Sequence, residues 1–113
     1  MAERGKAMDY AKLTKDLKEA KTSAIALGLT DNEDGGTCNF DTPVLIVKGA
    51  RLDFLKKAAA NAGVNISRWE SSCYHIYGDF LWGQGNLRTR MAECFAKVLA
   101  KNGWNAYVYY AMD

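Results

Sequence analysis

The fold is decided by residues 44–77, VLIVKGARLDFLKKAAANAGVNISRWESSCYHIY. The stretch from Val44 to Lys48 is apolar up to Val47 and rich in β-branched residues, which is typical of a central strand covered on one face or on both. From about Arg51 to Ala62 the apolar residues recur at helical spacing, and Gly63 predicts a left-handed cap at the end of that helix. This half of the stretch therefore predicts a strand followed by a helix.

The second half of the stretch and the residues after it repeat this order. Ile66 to Tyr77 alternates imperfectly between apolar and polar residues, and Ser71-Ser72 divides it as a hairpin or a bulge would. Asn86 is a suitable cap for a further helix that stops at Asn102-Gly103, and the tyrosine-rich residues from Ala106 to Met112 predict a last strand.

A long amphipathic helix is predicted before this core. Its apolar residues from about Met8 to Leu27 recur at steps of three and four, with lysines and acidic residues on the other face. Gly28 followed by Leu29 has the pattern of a left-handed glycine cap with an apolar residue folding back.

The chain of 113 residues is long enough for one domain, because a single core is usual at about 100 to 150 residues. We predict a compact two-layer α/β (α+β) fold over residues 1–113, with the N-terminal helix at about 8–27 and the α/β core at about 34–113. The sheet should have three to four strands of mixed pairing, with helices mainly on one face. If residues 66–77 form a hairpin, the core becomes a split βαβ of the ferredoxin-like type.

Composition excludes several classes of function. Fifteen Lys and Arg residues against thirteen Asp and Glu give a net charge of +2, which argues against direct nucleic-acid binding and against mimicry of DNA. No apolar run approaches the roughly 18 residues of a spanning helix, so we expect no membrane contact and a cytoplasmic location. With three cysteines, one histidine and no Cys-x-x-Cys pair, reduced thiols are expected, with no metal and no cofactor.

The turn before the third helix is the first candidate site. Gly83, Gln84 and Gly85 would let a ligand approach the backbone, and the free amides of the first helical turn favour anions. Arg88 and Arg90 fall in that turn, where cations are unfavourable without an anionic partner. Asn86 could bind a base or sugar edge, and the upstream rings of Trp82 and Tyr77 could stack on a base. The alternative is a structural loop whose arginines pair with Asp79 or Glu93.

Two further candidate sites, an acidic loop and a cysteine–histidine pair, do not match a metal-binding or catalytic pattern. The acidic loop from Asp31 to Asp41 does not match a calcium-binding template and is more typical of a solvated turn. Cys73 and His75 share a strand face but would lie about 7 Å apart, too far for a thiol and its base. We therefore expect a protein that is not an enzyme.

The last strand is a candidate contact surface. Tyr107 and Tyr109 should point to one face, and Val108 and Tyr110 to the other. One of these faces could remain exposed for a partner protein or a homodimer, or the N-terminal helix could cover it.

Three stretches resemble a known group of proteins. DGGTCNFDTP at 34–43, GQGNLRTR at 83–90 and VYYAMD at 108–113, in this order, are similar to segments of small proteins encoded by phages and prophages of Gram-positive bacteria. The resemblance covers residues 34–113. It implies a phage accessory role, of which inhibiting a CRISPR effector, capturing a nucleotide signal of a defence system or modulating a host enzyme are the usual forms.

Two functional hypotheses follow. In the first, the chain is a counter-defence binding protein in the host cytoplasm that captures a phosphorylated nucleotide or another anion at the turn, with Arg88 and Arg90 on phosphate. In the second, it is an anti-CRISPR protein that inhibits a Cas effector nuclease by direct contact, through the tyrosine strand or the basic side of the third helix.

Overall fold

Three helices and four strands make up the part of the chain that the computed structural model describes, which is residues 8–30, 39–82 and 85–111. In chain order they are α1 (Tyr10–Thr30), β1 (Thr42–Ile46), α2 (Leu52–Ala62), β2 (Asn65–Glu70), β3 (Cys73–Tyr77), α3 (Gly85–Lys101) and β4 (Asn105–Tyr109). None of the helices in these ranges is long and apolar enough to cross a membrane.

The strands form one sheet in the order β2-β3-β1-β4, and every described pair of neighbours is antiparallel. The predicted α+β class is confirmed, but the predicted mixed pairing is wrong. Residues 66–77 form the hairpin alternative, turning at Ser71-Ser72, and this hairpin places β3 between β1 and β2. Each helical crossover therefore skips one strand, which is the ferredoxin-like arrangement of split βαβ units.

All three helices lie on one side of the sheet, as predicted. α2 packs on β2, and α3 packs on β1 and β4. α1 contacts both of these helices, and within the described residues α2 and α3 do not contact each other, so α1 lies between them. The alternative in which α1 covers the second face of the sheet is therefore not the one observed.

The end of α1 differs from the prediction. The helix continues through Gly28 to Thr30, and Gly28 does not have the positive φ of a left-handed cap. A Cβ atom at this position would lie 2.5 Å from Cζ2 of Trp82 and 2.8 Å from Cε of Met91. The glycine therefore permits close packing of α1 against α3 and the preceding loop, rather than ending the helix.

The cap of α2 is confirmed. Gly63 has a φ of 81°, its amide donates to the carbonyl of Ala60, and the amide of Val64 donates to the carbonyl of Ala59 at 2.9 Å. β1, by contrast, begins two residues before the predicted Val44 and ends at Ile46. Ends of elements are set by caps and pairing partners, which apolar spacing alone does not define.

A buried carboxylate joins α1 to the start of β4. Asp16 accepts hydrogen bonds from Nζ of Lys12 and from Nε1 of Trp104, both at 2.8 Å. Burial raises the pKa of Asp16, but these two hydrogen bonds outweigh that effect and leave the pKa below its usual value. The interaction fixes the position of α1 between the other two helices.

Candidate functional site

The sheet has one face that the described helices do not cover, which we call the open face. Leu45 pairs with Tyr74 and Ala106, and these three pack with the helices in the main core. Neighbouring residues in a strand point to opposite faces, so Val44 and its cross-strand partners His75 and Tyr107 belong to the open face.

Aromatic rings gather at the centre of the open face. The ring of Trp69 lies 4.9 Å from that of His75 and 4.8 Å from that of Tyr109, and the His75 and Tyr109 rings are 5.5 Å apart. Val44 is fully buried although it is not part of the helix-side core, which indicates that these rings cover it. The open face thus has a small apolar core of its own.

A β-bulge accounts for the place of Trp69. Arg68 pairs with Tyr74 and Glu70 pairs with the adjacent Cys73, so Trp69 is an extra residue in β2. A bulge increases the local twist of the strand and redirects the side chains around it. With this bulge, the Trp69 ring extends over β3 and β1 and meets the ring of Tyr109 on the opposite edge strand, β4.

The rings of the open face remain partly accessible to solvent. Exposure is 45% for Tyr77, 43% for Trp69, 40% for Tyr109 and 39% for Tyr107. Trp and Tyr are among the residues that most often dominate the binding energy of protein interfaces. A group of such rings exposed together on one surface is typical of an interaction site.

The open face carries little charge. The described strand residues on this face include no lysine or arginine, and Glu70 lies at its edge. The pKa of Tyr107 is raised, chiefly by burial and further by the neighbouring Cys73 and Glu70. A neutral aromatic surface fits a protein partner better than it fits a polyphosphate, which needs cations.

His75 should make stability depend on pH. Burial lowers the pKa of His75 below the 6.5 of an unperturbed imidazole. The unfolded chain therefore binds a proton first as the pH falls, so the contribution of His75 to stability is complete above pH 6.5 and is lost below it. We expect the free energy of unfolding, measured in urea, to decrease from about pH 7.5 to 5.5. For the variant His75→Gln, the free energy of unfolding should change less with pH over this range. Equal pH dependence in the two proteins would contradict the prediction.

The turn predicted to bind an anion is only partly described. Gly83 and Gln84 lie outside the described residues. α3 begins at Gly85, whose φ is 54°, so Asn86 lies in the first turn of the helix, and the prediction that Asn86 caps it is wrong. Of the two carboxylates expected to pair with an arginine, Glu93 accepts a hydrogen bond from Tyr110 and Asp79 pairs with Lys21 at 3.5 Å.

Arg88 does not point to a ligand. Its Nε donates to the carbonyl of Asp41 at 3.0 Å and its Nη1 donates to the carbonyl of Leu81 at 3.4 Å. Burial lowers the pKa of Arg88, and the nearby Asp41 carboxylate opposes this effect. Two nitrogens of the guanidinium therefore bind groups of the protein, and anion binding by Arg88 stays a prediction.

The other residues predicted for this site lie on different surfaces. The ring of Trp82 is close to Gly28 in the helical layer, whereas Tyr77 is on the open face of the sheet. Arg90 lines a groove between α3 and β4. The structure therefore does not bring Arg88, Trp82 and Tyr77 together.

The end of the acidic loop has a structural role. Residues 31–38 lie outside the described ranges, but Asn39 donates to the carbonyl of Gly85 at 2.8 Å. The carboxylate of Asp41 accepts hydrogen bonds from Oγ1 of Thr89 at 2.6 Å and from the amide of Ala111 at 2.9 Å. These bonds attach the start of β1 to α3 and to the residues that follow β4.

The predicted facing of the last strand is confirmed. Tyr107 and Tyr109 lie on the open face, while the Tyr110 hydroxyl donates to Oε2 of Glu93 on α3 at 2.6 Å. This hydrogen bond, together with burial, raises the pKa of Tyr110 to about 12. Two of the three predicted contact tyrosines therefore share a surface and the third does not.

Neither metal binding nor thiol catalysis gains support from the geometry. Cys73 and His75 lie on the same face, as predicted. The described residues contain no group of three or more His, Cys, Asp or Glu side chains that could hold a metal ion, and Cys38 is outside them.

Comparison of the chain with protein-family models, with curated proteins and with solved structures found no match.

Proposed function

We propose that the chain is a non-catalytic binding protein that acts by laying the open face of its sheet on a partner protein. One observation carries the proposal: Trp69, Tyr77, Tyr107 and Tyr109 are half exposed on a single face, around the buried Val44. The sheet fixes the backbone beneath these rings, and rings with few rotatable bonds lose little entropy on binding.

The charges of the molecule favour a protein partner over a nucleotide. The open face has no described cation that could bind phosphate, and Arg88 is occupied by the carbonyls of Asp41 and Leu81. Capture of a phosphorylated nucleotide at the turn, the first hypothesis from the sequence, would therefore compete with these carbonyls for Arg88.

The resemblance to phage accessory proteins suggests which partner to test. A phage protein with a flat aromatic face could inhibit a bacterial defence protein by covering its substrate channel or by blocking a conformational step. A Cas effector nuclease, the partner in the second hypothesis from the sequence, is the first candidate. Because the net charge is +2, inhibition would depend on shape and apolar contact rather than on imitation of DNA.

The test is a cleavage assay with purified Cas effectors and guide RNA in the presence of the chain. The double variant Tyr77→Ser/Tyr109→Ser should weaken inhibition at least about 30-fold, which corresponds to the loss of about 2 kcal/mol at a hot spot. Phe54→Ser is the matched control, because Phe54 is a similarly exposed ring on α2, away from the sheet. If no effector is inhibited, the Cas identity is wrong, and if both variants inhibit equally, the open face is not the contact.

A thermal-shift experiment separates the two hypotheses. A nucleotide that binds the folded protein and is present at 100 times its Kd would add about 2.7 kcal/mol of stability and raise the melting temperature. Because we propose that the chain binds a protein instead, a panel of linear and cyclic nucleotides should leave the melting temperature unchanged. A rise that Asn86→Ala abolishes would favour the turn before α3 and contradict the proposal.

A further inference from the structure

A groove runs between α3 and the outer edge of β4. It is open to solvent and has a volume of about 720 Å³. Its lining is largely apolar and comes from the end of α1, from α3, from Ala106, Tyr107 and Val108 of β4, and from Tyr110 just after it. Because Ala106 and Val108 pack against the helix-side core, the groove lies mainly on the side of the sheet opposite the open face, and Tyr107 connects the two at the edge.

Within the described residues, the strand beside this groove has one edge that pairs with no other strand. β4 is an outermost strand, paired with β1 on one side. Residues 105–109 contain no charged residue and no proline, and the β1–β4 register is continuous. β2, at the opposite edge, carries Arg68, Glu70 and the bulge at Trp69, which are features that prevent further strand pairing. The two edges thus differ in the way expected if only β4 accepts another strand.

We propose that the edge of β4 and the groove beside it bind an extended polypeptide segment of a partner protein. The segment adds to the sheet as a fifth strand, next to β4. Its main chain pairs with the free backbone groups of β4, and alternate side chains enter the groove toward α3. The inference rests on the proposed function, because it takes the partner to be a protein. It adds a second contact surface beside the open face, and Tyr107 belongs to both surfaces.

The shape of the groove selects an extended segment over a second copy of the chain. In a dimer with a two-fold axis through β4, each copy would present the same concave groove to the other. The two grooves would then face each other and leave unfilled volume, which costs packing energy. A strand with apolar side chains at alternate positions fills the groove instead.

Charge adds a further preference. Lys97 is exposed at the groove, and no hydrogen bond or ion pair among residues 8–30, 39–82 and 85–111 holds its ammonium group, whereas the Glu93 carboxylate already accepts the hydroxyl of Tyr110. An acidic residue in the bound segment would therefore find a cation at this position.

The test selects short random peptides from a display library against the full chain and maps their contacts by amide NMR and hydrogen exchange. The enriched peptides should have apolar residues at alternate positions and an acidic residue, and they should slow exchange in β4 but not in β2. Methylation of alternate backbone nitrogens in such a peptide should weaken binding at least about 10-fold, because it removes strand hydrogen bonds.

Matched variants locate the binding. Ala100→Trp places a large ring at the groove and should weaken peptide binding at least about 10-fold, while Ala60→Trp, at an exposed position of α2, should not. Lys97→Glu should weaken binding and Lys56→Glu should not. Tyr77→Ser should leave peptide binding unchanged, so a failure of the open-face proposal is distinguishable from a failure of this one.

Three results would overturn the inference. The first is that no peptide is enriched, and the second is that the enriched peptides shift amides of β2 or of the open face. The third is protection of β4 that increases with protein concentration in step with a dimer, which would identify a second copy as the occupant.

Discussion

Replacing Asp41 with alanine should lower the free energy of unfolding by about 3 kcal/mol, because breaking a buried charged pair leaves its partners without compensation. Asp41 is 4% exposed, and its carboxylate accepts the hydroxyl of Thr89 and the amide of Ala111. Its charge also lies beside the half-buried guanidinium of Arg88. The variant would remove the carboxylate that accepts from Thr89 and Ala111, and with it the negative charge beside Arg88, at the junction of β1, α3 and the end of β4.

Urea denaturation followed by circular dichroism measures the effect, and the melting temperature should fall by about 12 °C for a domain of this size. Asp79→Ala is the control, since the Asp79 side chain is 77% exposed and its pairing with Lys21 is a surface contact. It should change the free energy of unfolding by less than about 0.5 kcal/mol. Similar losses in both variants would mean that the Asp41 network contributes little.

Phe95→Ala should lower the free energy of unfolding by about 4 kcal/mol. Phe95 has no exposed surface, and its ring stacks on that of Phe80 at 4.3 Å between centroids. Phe80 belongs to the loop before α3, so this pair fixes the helix to the segment that leads into it. The truncation removes apolar burial and leaves a cavity that a close-packed interior fills only in part.

Phe54→Ala provides the comparison, because Phe54 is 44% exposed and contacts Tyr10 and Arg51 at the surface. Its loss should stay below about 1 kcal/mol. Chemical denaturation of both variants gives the difference. A Phe95→Ala protein as stable as Phe54→Ala would show that the core around α3 relaxes into the space.

The sequence allowed the fold class and the approximate place of every helix to be predicted, since both depend on periodic apolar residues. Gly63 was recognisable as a cap because it follows a helical pattern and precedes an apolar residue. Gly28 has the same local pattern, yet it lies inside α1, where contact with Trp82 decides its role. That contact joins residues far apart in the sequence, and local pattern does not contain it.

The candidate site was harder to predict for the same reason. Tyr107 and Tyr109 were identified from strand alternation, but their association with Trp69 depends on strand order and on a bulge. One signal was available, since Trp69, His75 and Tyr77 occupy positions of equal parity. For Arg88, its place near the start of a helix led us to predict an external anion as its partner. In the structure, the carbonyls of Asp41 and Leu81 accept its hydrogen bonds, and neither contact can be read from local sequence.

The position of α1 has a consequence for how the chain is made. Lys12 donates to the carbonyl of Asn102 and Asp16 binds the indole of Trp104, so α1 has partners that are translated long after it. The part of its apolar face that packs on α3 stays in contact with water, or with a chaperone, until α3 and the residues after it have been made. Complete docking of α1 is then a late event, and a ribosome stalled before residue 102 should carry a chain in which α1 is sensitive to protease.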